Sequence, residues 1–147
     1  MMIYGEGPLR EVLQKQIENY DLEEKVFLKG NTNDVPNAIK PAKIYVLSSD
    51  YEGMPNALME AMALGLPCVS TDCPCGGPRA LFGEDLKEWL VPVGDDKMMG
   101  EKIEKLLKDE DMLKKVGNLM RKRAELFKPS VIIERWENFT GRKAVRI

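Results

Sequence analysis

Short apolar runs alternate along this chain with stretches whose apolar residues recur every three or four positions. The runs are Met2 to Tyr4, Val26 to Lys29, Lys43 to Ser48, Pro67 to Thr71 and Trp89 to Val93. Most are continuous rather than alternating, the pattern expected of strands covered on both faces. Between the first two, Leu9, Val12, Leu13 and Ile17 make one helical stripe. Repeated strand–helix–strand units predict an α/β fold, with a parallel sheet, right-handed crossovers and flanking helices.

After Val93 the pattern becomes wholly helical. Gly94-Asp95-Asp96 reads as a turn and N-cap for a helix carrying Met99, Ile103, Leu106 and Leu107. A second helix carries Met112, Val116, Leu119, Met120 and Phe127, and Pro129 is expected to stop it. Ser130 would then cap a last helix with Ile132, Trp136 and Phe139 on one face. With no internal repeat and no low-complexity linker, residues 1–140 read as one domain and 141–147 as a flexible tail.

Composition narrows the function. The chain has 147 residues, enough for one substantial core. Hydrophobic residues are 44% and charged residues 31%, the balance of a folded soluble protein. With 22 basic and 24 acidic residues the formal charge is -2, so nothing electrostatic points to nucleic acid or an anionic membrane. No apolar run approaches the roughly 20 residues of a membrane span, and no secretory leader is recognisable. Met1 to Gly5 reads instead as the end of a buried strand, and the chain is expected to begin partway through a longer protein with its first strand missing.

Cys68, Cys73 and Cys75 suit a reducing compartment better than a disulfide framework. Cys73-Pro74-Cys75 is not a C-x-x-C, and without histidine there is no set of four zinc ligands. Packing and loop roles are the expectation for all three. Trp89, Trp136 and Phe139 read as core or interdomain packing rather than a platform for a sugar ring.

The most informative stretch runs from Ser48 to Pro67. A strand ending at Leu47 enters a polar loop, Pro55 suits a helix's first turn, and Gly65 suits its left-handed C-terminal cap. Ligands of open parallel sheets bind beyond the carboxyl ends of strands, where this loop lies. The first backbone N–H groups of a helix are unpaired and its dipole favours an anion there, so Asn56, Ala57 and Leu58 have amides to offer a diphosphate. Glu52 and Glu60 would repel phosphates directly and make better sense as acceptors for sugar hydroxyls on either side. The competing reading is an ordinary amphipathic helix with solvated glutamates.

Glu52-Gly53-x6-Glu60-Ala61-Met62-Ala63-x-Gly65-x-Pro67 resembles the E-x7-E signature of retaining GT-B glycosyltransferases, especially family four. Tyr4-Gly5-Glu6-Gly7-Pro8-Leu9, Val26 to Gly30, Gly76-Gly77-Pro78-Arg79 and Val91-Pro92-Val93-Gly94-Asp95 resemble flanking segments of the same family. The resemblance implies a Rossmann-like parallel sheet with flanking helices, the C-terminal half of a GT-B fold. It implies that Glu52, as the catalytic-site carboxylate, contacts the donor sugar and that Glu60 contacts the ribose. The diphosphate would lie on amides of the stretch Gly53, Met54, Asn56, Ala57 and Leu58, with Asn31 and Thr32 near the base. No metal is expected, since helix amides and basic side chains neutralise the leaving diphosphate.

The implied activity is transfer of a sugar from a nucleotide diphosphate, with UDP favoured, to a glycan or lipid-linked acceptor in a polysaccharide pathway at the cytoplasmic membrane face. The family's basic pair and its acceptor domain lie upstream of the matched region, and neither Arg10 nor Arg79 stands in the right context to replace that pair. The isolated chain is therefore expected to be inactive and to self-associate through an exposed sheet edge or its last helix. The alternative is a non-catalytic nucleotide-binding or assembly module of the same fold. Gly5-Glu6-Gly7 lacks the third glycine of a dinucleotide fingerprint and reads as a turn.

Overall fold

The computed structural model describes residues 1–141. Apart from Gly141, the expected tail at 141–147 lies outside the described residues. The chain forms two compact units, Met1 to Ala38 and Ile39 onward.

In the first unit, β1 (Met2–Tyr4) pairs in parallel with β2 (Phe27–Gly30) through α1 (Arg10–Asn19). The register slips by one residue between Ile3 and Tyr4. The helical stripe of α1 is only partly used. Ile17 is buried, whereas Leu9, Val12 and Leu13 stay exposed, so the stripe marks the helix correctly without being a core face throughout. Arg10 pairs with Glu6 at 2.7 Å and donates to the Leu28 carbonyl at 3.2 Å, which occupies its charge within this unit. The short α2 (Val35–Ile39) was not evident from periodicity, because five residues carry too little of it.

The second unit is built on a three-stranded parallel sheet in the order β3-β4-β5, with β3 at Tyr45–Leu47, β4 at Cys68–Thr71 and β5 at Leu90–Val91. Only central β4 is buried along its whole length; β3, an edge strand, is half-buried. Continuous apolarity thus overstated the cover of β3. Lys43 and Ser48, at the ends of the expected run, fall outside the strand, and Trp89 leaves its run to end a 3₁₀ turn.

Helix α3 (Asn56–Leu64) follows β3, α4 (Gly77–Leu86) follows β4, and α5 (Asp96–Lys108) follows β5. Asp95 caps α5, its carboxylate accepting from Met98 N at 2.9 Å. Asp109 caps α6 (Glu110–Ala124) in the same way through Met112 N. Helix α6 is shorter than its apolar pattern suggested, because Glu125 to Phe127 tighten into a 3₁₀ turn. Pro129 opens α7 (Pro129–Thr140) rather than stopping a helix, so Ser130 lies inside it and is not its cap. Proline at a first helical position loses no hydrogen bond, which explains the reversal.

The core of this unit joins Leu58, Ala61 and Met62 of α3 to Val69, Phe82, Trp89, Leu106 and Met120, each at most 2% exposed. Trp89 meets the packing expectation. Trp136 and Phe139 do not enter this core: they are 62% and 84% exposed and meet each other edge to face at 6.1 Å. Among the described residues no helix is long and apolar enough to cross a membrane.

Candidate functional site

The loop between β3 and α3 and the start of α3 hold most of the expected site residues. Helix α3 is rich in Ala, Leu and Met, good helix formers, and it terminates cleanly. Gly65 adopts φ 78°, its N–H reaches the Met62 carbonyl at 2.9 Å and Leu66 N reaches Ala61 O at 3.1 Å. This is the paired closure of a left-handed C-terminal cap. At the other end the cap position is Pro55, one residue earlier than a first helical residue, in an extended conformation at ψ 106°.

Proline has no side-chain acceptor, and among the described residues no side chain caps the helix. The first bond into α3 is from Met59 N to Pro55 O at 3.2 Å. The amides of Asn56, Ala57 and Leu58 thus head the helix with no cap group in front of them, and the positive end of the dipole is left for a ligand. Gly53, Met54 and Asn56 are exposed, and Ala57 is half-buried. Leu58 packs its side chain fully into the core, so its contribution is limited to backbone.

Both carboxylates are half-buried. Glu52 accepts a hydrogen bond from Ser49 Oγ at 2.8 Å, which orients it and leaves its second oxygen available. Glu60 projects from the second turn of α3. The phenol of Tyr45 is pushed up to about 12, first by burial, then by the fields of Cys68, Glu52 and Glu60. Tyr45 was read only as a strand residue; the signal that marks it is a hydroxyl inside the otherwise apolar run Ile44 to Leu47. Ser49, the partner of Glu52, carried no signal beyond its place in the loop.

Asn31 and Thr32 belong to the first unit. Asn31 is exposed, while Thr32 is half-buried and accepts from Asp34 N at 3.1 Å, the geometry of a local turn. Arg79, at the start of α4, is paired with both carboxylate oxygens of Asp72, and Nε lies 3.1 Å from Oδ1. That contact holds the guanidinium above its ordinary value. A surface depression of about 300 Å³ is lined by Asp72, Arg79, Glu84, Lys87 and residues of β5, and it contains none of the expected site residues. Its cations are already matched, Arg79 by Asp72 and Lys87 by Glu84 at 2.6 Å.

Of the cysteines, Cys68 and Cys73 are buried and Cys75 is exposed. Burial pushes the Cys68 thiol well above its ordinary range, and it donates to the Leu66 carbonyl at 3.2 Å.

Residues 1–123 match the family model described as glycosyl transferases group 1. The chain is 33% identical over 127 residues to an N-acetylgalactosamine-N,N'-diacetylbacillosaminyl-diphospho-undecaprenol 4-alpha-N-acetylgalactosaminyltransferase of Campylobacter jejuni, covering 86% of this chain and 34% of that protein. It is 31% identical over 137 residues to a poly(ribitol-phosphate) alpha-N-acetylglucosaminyltransferase of Staphylococcus aureus, covering 92% and 28%. Among solved structures it superposes on a variant of S. aureus TarM, in complex with fondaparinux, alpha-GlcNAc-glycerol and UDP. There the TM-score is 0.81 at 31% identity, over 93% of this chain and 28% of that one. The pneumococcal O-GlcNAc transferase GtfA, in complex with UDP and GlcNAc, gives a TM-score of 0.77 at 26% identity, over 95% and 28%. The parallel α/β arrangement matches these GT-B structures. The chain spans well under half the length of these relatives.

Proposed function

The chain belongs to the group 1 glycosyl transferases, and from that premise we propose that it is the C-terminal, donor-binding part of a retaining enzyme. The enzyme moves a sugar from a nucleotide diphosphate to a glycan or lipid-linked acceptor at the cytoplasmic face of a membrane. UDP is the favoured nucleotide, because two structurally similar proteins were solved with it.

In this reading Glu52 accepts hydrogen bonds from the donor sugar and Glu60 from the ribose. The Gly53 to Leu58 backbone, with Met54 and Asn56 at the surface, takes the diphosphate. The helix-start amides stabilise the charge that grows on the leaving diphosphate, so no metal is required. The relatives are much longer than this chain, and in this reading the chain contributes donor binding rather than turnover by itself. What supports the reading is the proline cap of α3, which supplies no side-chain acceptor to the helix start, together with the half-burial of Glu52 and Glu60.

Calorimetric titration of the chain with UDP, GDP and ADP tests it. UDP-selective binding is expected, abolished by Glu60→Ala and unaffected by Glu134→Ala on α7. Glu52→Gln should weaken a UDP-sugar while leaving UDP itself unchanged. Heat from no nucleotide, or equal binding by wild type and Glu60→Ala, refutes the assignment and favours a module without donor chemistry.

A further inference from the structure

The segment Cys73-Pro74-Cys75-Gly76-Gly77 has no part in ligand contact as described above, yet it runs beside the β3–α3 loop in a regular way. In the sheet, β3 and β4 pair from Tyr45 with Cys68 to Leu47 with Ser70. Beyond the strand ends the pairing continues by other means. Thr71 Oγ1 donates to the Ser49 carbonyl and lies 3.4 Å from that of Leu47. Cys73 Sγ donates to the Ser49 carbonyl at 3.2 Å. Gly77 packs on Gly53: a Cβ built there would fall on the Gly53 carbonyl oxygen and come within 3.2 Å of Pro55 Cδ.

Cys73 opens a turn whose Gly76 N–H returns to the Cys73 carbonyl at 2.9 Å, and Gly76, at φ 75°, leads directly into α4. The turn carries Cys73 against Ser49 at one end and Gly77 against Gly53 at the other. Gly77 is the first residue of α4 and its φ is not positive, so an alanine there meets no backbone strain of its own. What excludes a side chain is the Gly53 peptide, with Pro55 Cδ close beside it.

We propose that Cys73 and Gly77 are positioning residues that fix the Ser49–Gly53 backbone, and through it the direction in which the α3 amides face. The inference rests on the donor-site reading for its functional consequence, but its structural part stands separately. The bare Cα of Gly77 sets how closely the Gly53 peptide approaches α4. The Cys73 thiol, donating to the Ser49 carbonyl, steadies the start of the loop. A displacement of the order of 1 Å at such a site is enough to cost a large factor in binding or rate.

The test uses the 147-residue chain, amide NMR and UDP titration, with Gly100→Ala on α5 as a remote control in open space. Gly77→Ala should move the amide resonances of Gly53, Met54 and Asn56 while leaving those of α5 and α6 in place, and should weaken UDP binding roughly tenfold or more. Cys73→Ala should weaken UDP binding a few-fold and Cys73→Ser, which keeps a donor for the Ser49 carbonyl, should restore it. Wild-type chain that ignores UDP while the Gly53 to Asn56 amides respond as described would sink the donor reading and keep the brace. Unmoved amides in Gly77→Ala, or shifts spread evenly through the unit, would overturn the brace. Should Gly77→Ala fail to fold, the Cys73 pair decides: equal affinity of Cys73→Ala and Cys73→Ser overturns it.

Discussion

Arg121 of α6 donates through one guanidinium nitrogen to the carbonyl of Leu64, at 2.8 Å, closing the C-terminal end of α3. The same guanidinium lies against Gly65, where an added Cβ would approach within 2.6 Å of it. Helix α6 also comes close enough at Gly117 that a side chain there would overlap the Gly65 carbonyl. The end of α3 opposite the candidate ligand site is thereby held from a second helix. Rigid support behind a site fixes the geometry in front of it.

Removal of that support should be measurable. Arg121→Ala leaves the last carbonyl of α3 to water and should cost about 1–2 kcal/mol of stability, the range of a hydrogen bond with a charged donor that is partly exposed. Urea unfolding is the check, with Arg121→Lys recovering part of the loss. An unchanged midpoint would show that the contact contributes nothing.

The helix-start proposal allows a test that leaves the fold alone. Pro55 is already extended, so it accommodates a following proline, and the first helical position loses no intrahelical bond to one. Asn56→Pro therefore deletes one outward amide from α3 without breaking it. Thermal stability should stay near that of wild type while UDP affinity falls. Asn56→Ala, which keeps the amide and loses only the side chain, should bind better than Asn56→Pro. Equal binding by the two would remove that amide from the site.

Tyr45 makes the pH prediction. Its phenol ionises near 12 in the folded protein against 10.0 ordinarily, so the folded state holds this proton more tightly than the unfolded chain. The stabilisation is complete below pH 10 and is lost as the pH rises from there through 12. Compared with Tyr45→Phe, wild type should lose stability across that window and not below it, and its last phenolate should appear late in a spectroscopic titration. Should Glu60→Ala shift that last ionisation downward, Tyr45 and Glu60 are electrostatically linked as described.

The region around α3 was legible from the chain because its markers are local. Gly65 as the left-handed cap, the Ala- and Leu-rich body and the two glutamates at fixed spacing all act over one or two turns. The same holds for Asp95 at the start of α5. Proline was less readable: Pro129 begins a helix where it was expected to end one, since either position spares the missing N–H. The stripe Leu9, Val12 and Leu13 and the pair Trp136 and Phe139 revealed helices but not their exposure, which depends on what packs against them.

Sequence alone determined the α/β class, the order of the strands, the caps at Asp95 and Gly65 and the family signature from Glu52 to Pro67. These depend on backbone preferences and side-chain periodicity, which operate between near neighbours. Only the tertiary structure decided that Ser49 orients Glu52, that burial raises the Tyr45 phenol, and that Arg79 is consumed by Asp72. It alone set Gly77 against Gly53 and Arg121 against Leu64. The physical reason is the same throughout: residues that meet across two helices or two loops are joined by packing and hydrogen bonds with no fixed spacing along the chain.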